Sequence, residues 1–200
     1  MAQKIYIIAG CNGAGKTTAS LNILPQILQC DEFVNADEIA RGLSPFHPER
    51  VSLEAGRLML ERISSLMVRK ATFALETTLS TRSYVSLIKK AHKAGYQVEL
   101  IFFWLSSPEV AIERVAKRVA EGGHNIPEDV IRRRYDAGIR NLFNIQPRSR
   151  QVDAYRQQHR AVGSAGRSHR WRDKDIRFQP FQTHNGLWTR SKITCRPMRS

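Results

Sequence analysis

The segment Gly10-Cys11-Asn12-Gly13-Ala14-Gly15-Lys16-Thr17 constrains this chain more than any other. Three glycines within six positions let the backbone turn sharply and aim successive N–H groups at one point. A lysine and a hydroxyl residue follow at once. The β-rich apolar run 4–9 leads into the turn. Residues 16–28 lead out of it, with Ala19, Leu21, Ile23, Leu24 and Ile27 at helical spacing. Strand, glycine turn and helix in that order make a phosphate cradle. Backbone N–H groups around Gly13 and Gly15 hold oxygens, and the helix adds its positive end. This is a Walker A loop, so ATP or GTP is the expected ligand. The expected nucleotide-binding set is Gly10, Asn12, Gly13, Ala14, Gly15, Lys16, Thr17 and Thr18. Lys16 should reach the β- and γ-phosphates, and Thr17 should place its hydroxyl on Mg²⁺.

The rest of the chain alternates strand and helix. Residues 33–35 read as a short strand followed by Ala36-Asp37-Glu38, and Pro45 and Pro48 bracket a loop. From Glu49 a helix carries Val51, Ala55, Met59, Ile63 and Leu66 on one face. Residues 71–75 read as a strand delivering Glu76-Thr77-Thr78. A helix over 84–94 stops at Gly95. Residues 97–105 are almost continuously apolar, as a buried parallel strand should be. Ser106-Ser107-Pro108-Glu109 starts a helix to about Ala120, Gly122-Gly123 breaks it, and 128–142 form another. The expected fold is α/β: a P-loop NTPase with a parallel sheet, flanking helices and a helical lid. Ligands in such sheets sit at the carboxyl ends of the strands. The Walker A loop, Asp37 and Glu76-Thr77-Thr78 should therefore converge on one crevice.

Each candidate outside the loop carries two readings. Asp37 suits a base that takes the proton of an attacking hydroxyl, and it equally suits a helix N-cap. Glu76 suits a Mg²⁺ or substrate acid, with Thr77 as a substrate contact, and all of these also suit the end of a strand. Arg114 and Arg118 share a helix face. Arg132, Arg133 and Arg134 fan around a helix and cannot all meet one ligand. Arginines on a helical pair over the phosphates would neutralise transition-state charge. Singly, each also reads as part of a solvated basic face.

Taken in order, these segments resemble the zeta-toxin family of P-loop kinases. The resemblance rests on Gly10…Lys16-Thr17, Asn35-Ala36-Asp37-Glu38-Ile39-Ala40, Glu76-Thr77-Thr78-Leu79-Ser80 and Arg118…Gly122-Gly123-His124-Asn125-Ile126-Pro127 with Arg132-Arg133-Arg134-Tyr135. It covers residues 3–146. It implies a kinase using ATP and Mg²⁺, with a nucleotide-sugar such as UDP-N-acetylglucosamine as acceptor and an antitoxin protein as partner. It further implies Lys16 and Thr17 at the nucleotide and metal, Asp37 as general base, and Glu76 as a metal or substrate acid. Arg118 and one of Arg132 to Arg134 become the phosphate clamp. A housekeeping kinase for another nucleotide-sugar or nucleoside shares the same loop and fold.

The net charge of +14 would ordinarily point to nucleic acid. Its distribution argues otherwise. Residues 1–146 hold 19 Lys and Arg against 15 Asp and Glu, a net of +4. Residues 147–200 hold 13 against 3, a net of +10. A nucleic-acid-binding ATPase using this basic tail is the competing reading. Three scattered cysteines (Cys11, Cys30, Cys195) form no metal pair, and no apolar run approaches a membrane span. A cytoplasmic protein that does not enter membranes is expected.

The tail itself shows no strand or helix period. The expected division is a kinase-like domain over 1–146 and an irregular basic tail over 147–200. Back-translating residues 146–176 and reading one base later permits a continuation containing VVDRWTLTD and VALVAA, which has the strand pattern the written tail lacks. The arginine codons of Arg150, Arg156, Arg160, Arg170 and Arg172 then yield acids. The tail is thus either a basic arm or the product of a shifted reading frame. In the latter case, the strand at 97–105 would be left as an exposed edge.

Overall fold

β1 (Lys4–Gly10) is buried along nearly its whole length in this computed structural model, which describes residues 2–145, 151–157, 176–183 and 186–193. Ile5, Ile7 and Ala9 belong to one core, Tyr6 and Ile8 to the other. A strand covered on both faces needs apolar residues at every position, which is why this run does not alternate. β1 pairs in parallel with β3 (Phe73–Thr77) on one side and with β4 (Gln97–Trp104) on the other. β2 (Phe33–Val34) joins the outer edge of β3. The carboxyl ends of β1, β2 and β3 thus lie side by side, where parallel sheets bind their ligands.

The first core lies under α3 (Ser52–Val68) and α4 (Ser83–Lys93), through Met59, Ile63, Leu66, Ile88 and Ala91. The second lies under α1 (Lys16–Gln26) and α5 (Pro108–Ala120), through Ile23, Leu24, Ala111 and Val115. Removing one such aliphatic side chain from water contributes about 2 kcal/mol. α6 (Glu128–Ile145) serves both cores. Ile131 and Tyr135 enter the second, Leu142 and Ile145 the first. It therefore crosses the carboxyl edge of the sheet instead of lying along one face.

Several boundaries differ from the sequence reading for identifiable reasons. A left-handed residue, Lys70 (φ 54), follows α3, and the Ala71 N–H returns to the Leu66 carbonyl at 3.0 Å. That closing turn uses Ala71, so β3 starts at Phe73, and Glu76 and Thr77 are its last residues. The helix expected from Glu49 begins as a 3-10 turn over Pro48–Val51 and becomes α-helical at Ser52. α2 (Ala36–Leu43) is capped by Asn35, whose Oδ1 accepts from the Asp37 N–H at 2.9 Å. The cap role offered to Asp37 thus belongs to Asn35.

The tail, read as lacking strand period, contributes three strands where it is described. β5 (Gln151–Gln157) runs parallel to β4, and β6 (Ile176–Thr183) and β7 (Gly186–Ile193) add antiparallel strands. The full order is β2-β3-β1-β4-β5-β7-β6. β4 is therefore not an edge strand. Backbone ladders supply this pairing, so a side-chain period is a poor guide to it. Pro180 lies in the outermost strand, where a missing N–H is tolerated. The rest of 147–200, with Cys195, lies outside the described residues. Among the described residues, no helix is long and apolar enough to cross a membrane.

Candidate functional site

The loop after β1 is built by close approaches that only glycine permits. A Cβ on Gly10 (φ +146) would collide with the Phe103 carbonyl oxygen. One on Gly13 (φ +76) would lie 2.9 Å from that of Ala111. Gly15 (φ 80) leads α1 in the left-handed conformation, with no side-chain cap and no acid in the first turn. Helices usually satisfy these N–H groups with Ser, Thr, Asp or Asn. Here the positive end stays open at the bottom of a crevice, as a phosphate group requires.

Lys16 is buried and donates from Nζ to the Cys11 carbonyl at 3.0 Å. Burial pushes the Cys11 thiol up to about 11, so it stays neutral near pH 7 and adds no charge against a phosphate. Asn12 is buried, Ala14 is packed in the core beneath the loop, and Thr18 is exposed on α1.

Glu76 is the hub of the crevice. Its Oε2 accepts from the Thr17 hydroxyl at 2.8 Å and from Asn35 Nδ2 at 3.0 Å, and its Oε1 lies 3.6 Å from Lys16 Nζ. Burial raises its pKa. Lys16 and Thr17 oppose that rise, and the charge of Asp37 adds to it. Loop, α2 and β3 thus meet at one carboxylate: Lys16, Thr17 and Asn35 contact Glu76, and Asp37 lies near enough for its charge to act on it. Asp37 itself is exposed. A hard divalent cation takes oxygen ligands from one or two protein groups plus phosphate oxygens. Thr17 Oγ1 and the Glu76 carboxylate are such a pair, and their chemistry fits it.

Thr77 is buried, and its Oγ1 accepts from the Leu79 N–H at 2.8 Å. It therefore shapes the turn that follows. Leu79 is fully buried yet left-handed (φ 58), a conformation costing a non-glycine residue about 1–2 kcal/mol.

The arginines separate. Arg134 donates from Nη1 to Asn12 Oδ1 at 3.2 Å, so it reaches the loop. Arg132 is bound to Glu109 at 2.6 Å, and this contact holds Glu109 down to about 2. Arg118 donates from Nη2 to the His124 carbonyl at 2.8 Å, which ties down the α5–α6 connection, and its Nε is buried without a partner. A Cβ on Gly123 would strike Arg118, so the glycine serves packing here. Arg114 is half-buried beside Cys11, and desolvation lowers its pKa. Arg114 and Arg134 are thus the guanidinium groups at the loop. His124 lies 3.7 Å from Glu49 through Nδ1.

Sequence reasoning missed two residues of α6, Gly138 and Asn141. A Cβ on Gly138 would sit 2.7 Å from the Thr78 carbonyl oxygen, and buried Asn141 donates from Nδ2 to the Leu79 carbonyl at 2.8 Å. A glycine inside a helix, which weakens it, was the available signal.

A curated relative from Haemophilus influenzae (strain Rd), an uncharacterized protein, is 31% identical over 137 residues, spanning 68% of this chain and 94% of that one. The PezAT chromosomal toxin-antitoxin system of Streptococcus pneumoniae is similar in structure, with a TM-score of 0.61 at 19% identity over 80% of this chain and 71% of that one. The AvrRxo1-ORF1:-ORF2 complex with ATP gives 0.63 at 18% identity, over 78% of this chain and 55% of that one. These structural likenesses show the fold. The zeta toxin family matches residues 2–162, a span that runs through β5. On that match, and with its loop built as described, the chain is a P-loop phosphotransferase that belongs to the zeta toxin family.

Proposed function

We propose that this kinase transfers the γ-phosphoryl group of ATP to a hydroxyl of a nucleotide-sugar, with UDP-N-acetylglucosamine the first candidate. The reading rests on one observation above others. The Glu76 carboxylate joins Thr17 of the phosphate loop to Asn35, the cap that accepts from the Asp37 N–H.

Lys16 and the N–H groups of the loop bind the β- and γ-phosphates. Thr17 and Glu76 would hold Mg²⁺, which would supply charge neutralisation of the phosphates. Asp37 accepts the proton of the acceptor hydroxyl. The new O–P bond forms as the bond from γ-phosphorus to the bridging oxygen breaks, and ADP carries that electron pair away. Arg134 and Arg114 face the developing charge, and Thr77 shapes the acceptor wall. Arg118 and Arg132 support the helices that carry these groups.

The domain that does this is proposed as 1–146, and β5 of the tail extends its sheet. An antitoxin protein is the proposed partner, since the S. pneumoniae neighbour is a toxin-antitoxin system. Buried free Cys11 and Cys30 suit a reducing cytoplasm. The test is a screen of nucleotide-sugars, sugars and nucleosides with γ-labelled ATP. Label in UDP-N-acetylglucosamine supports the reading. Label only in a nucleoside, or only in free phosphate, replaces it.

A further inference from the structure

We infer that Asn141 is a positioning residue for phosphoryl transfer, acting from α6 through the Leu79 turn on the strand end that carries Glu76 and Thr77. The inference rests on the kinase reading above and adds a residue to it.

The turn after β3 is held in a conformation its own sequence disfavours. Leu79 is left-handed (φ 58) and fully buried, and a leucine alone would relax toward the extended or right-handed regions. Three contacts oppose that relaxation. The Leu79 N–H donates to Thr77 Oγ1 at 2.8 Å. Asn141 Nδ2 donates to the Leu79 carbonyl at 2.8 Å. Gly138, one helical turn before Asn141, brings the α6 backbone so close that a Cβ would meet the Thr78 carbonyl oxygen at 2.7 Å. The first contact lies within the turn, and the other two come from α6.

The same helix reaches the phosphate loop. Arg134, seven residues before Asn141, donates to Asn12 at 3.2 Å. One helix thus touches the segments that follow β1 and β3. Asn141 sets the distance between the arginine over the phosphates and the acceptor-side wall. A rigid helix fixed at both ends keeps the two halves of the crevice in register, and misplacement of about 1 Å is enough to cost about a hundredfold in rate. Asparagine suits this place because its amide donates while staying uncharged in a buried site.

The test compares Asn141→Asp, Gly138→Ala and Tyr135→Phe with the parent chain, using ATP and UDP-N-acetylglucosamine. Asn141→Asp keeps the shape and loses the donor once its carboxyl ionises. Tyr135→Phe loses the hydroxyl that donates to the Leu105 carbonyl at 2.8 Å and accepts from Trp104 Nε1 at 3.2 Å, away from the acceptor turn, and controls for loosened docking. The expected result is a kcat at least about tenfold lower for Asn141→Asp and Gly138→Ala, with the dissociation constant for ATP within about twofold of the parent. Tyr135→Phe should keep kcat within about twofold at a matched loss of Tm. The ratio of Asn141→Asp kcat to parent kcat should rise as pH falls, since the protonated carboxyl can again donate to Leu79. The inference is overturned if Asn141→Asp keeps the parent kcat, if ATP affinity falls with it, or if Tyr135→Phe loses as much. A parent that transfers nothing to UDP-N-acetylglucosamine overturns the acceptor assigned above instead. The same comparison is then read on ATP hydrolysis, which uses the same phosphate loop.

Discussion

Arg134 reaches Asn12 across 122 residues of sequence, with its Nη1 3.2 Å from the side-chain oxygen of the phosphate loop. Arg132, two residues earlier, turns the other way to Glu109. Successive residues on a helix diverge by about 100°, so only one of them can face the loop. Arg134→Ala is expected to lower kcat/KM for transfer about a hundredfold, the usual loss for one preorganised donor at a developing charge. Arg132→Ala, which breaks an exposed pair, should change it less than about threefold. Steady-state kinetics on the two variants checks this, and equal losses would remove the distinction drawn between them.

Lys16→Ala is expected to abolish phosphoryl transfer, because it removes the buried cation of the loop. Asp37→Asn should behave differently. Its side chain is exposed and Asn35 supplies the helix cap, so the substitution leaves the cap of α2 and the contacts of the phosphate loop in place. Turnover should fall by about 10²–10⁴, as for a lost general base, with the dissociation constant for ATP unchanged. Transfer at the parent rate would show that another group takes the proton.

How far the sequence reaches is visible in these residues. The phosphate loop and the buried strands were legible because glycine spacing and unbroken apolar runs are local signals. The cap at α2 was not, since Asn35 and Asp37 are both good caps and only the backbone decides between them. The start of β3 was missed because Ala71 closes the helix before it. The roles of Arg132 and Arg134 depend on where α6 lies, and that is set by packing on two cores at once. In the tail, Asn185-Gly186 between two runs containing aromatics was a hairpin signal that the basic composition masked.

Glu76 makes stability depend on pH in a definite direction. Burial raises its carboxyl above the ordinary 4.5. A carboxyl with a raised folded-state pKa holds its proton more tightly in the folded chain than in the unfolded one. Its contribution to stability is therefore full at low pH and is lost as pH rises through the folded value. Glu76→Gln lacks this titration. Urea unfolding of both chains across pH should give a difference that is flat below about 4.5 and shifts in favour of the variant above it. A difference that stays flat through neutral pH would mean that Lys16 and Thr17 fully offset the cost of burial.

The tail offers the last test, because two accounts of it predict opposite results. β5 pairs along β4 from Glu99 to Trp104, so ending the chain at residue 146 leaves that row of N–H and C=O groups unpaired beside an apolar strand. Such an edge recruits other chains. The truncated protein is expected to aggregate at concentrations where the full chain is monodisperse by light scattering, while retaining ATP binding at low concentration. If it stays monodisperse and binds nucleic acid as the full chain does, the strands after residue 146 contribute neither cover nor contacts. Loss of a steeply salt-dependent nucleic-acid affinity on truncation would favour the basic-arm reading. Sequencing the gene from codon 140 past codon 200 separates the remaining pair. A second frame encoding the VVDRWTLTD continuation makes the written tail a product of a shift, and a strand of that composition should then restore solubility better than the basic one does.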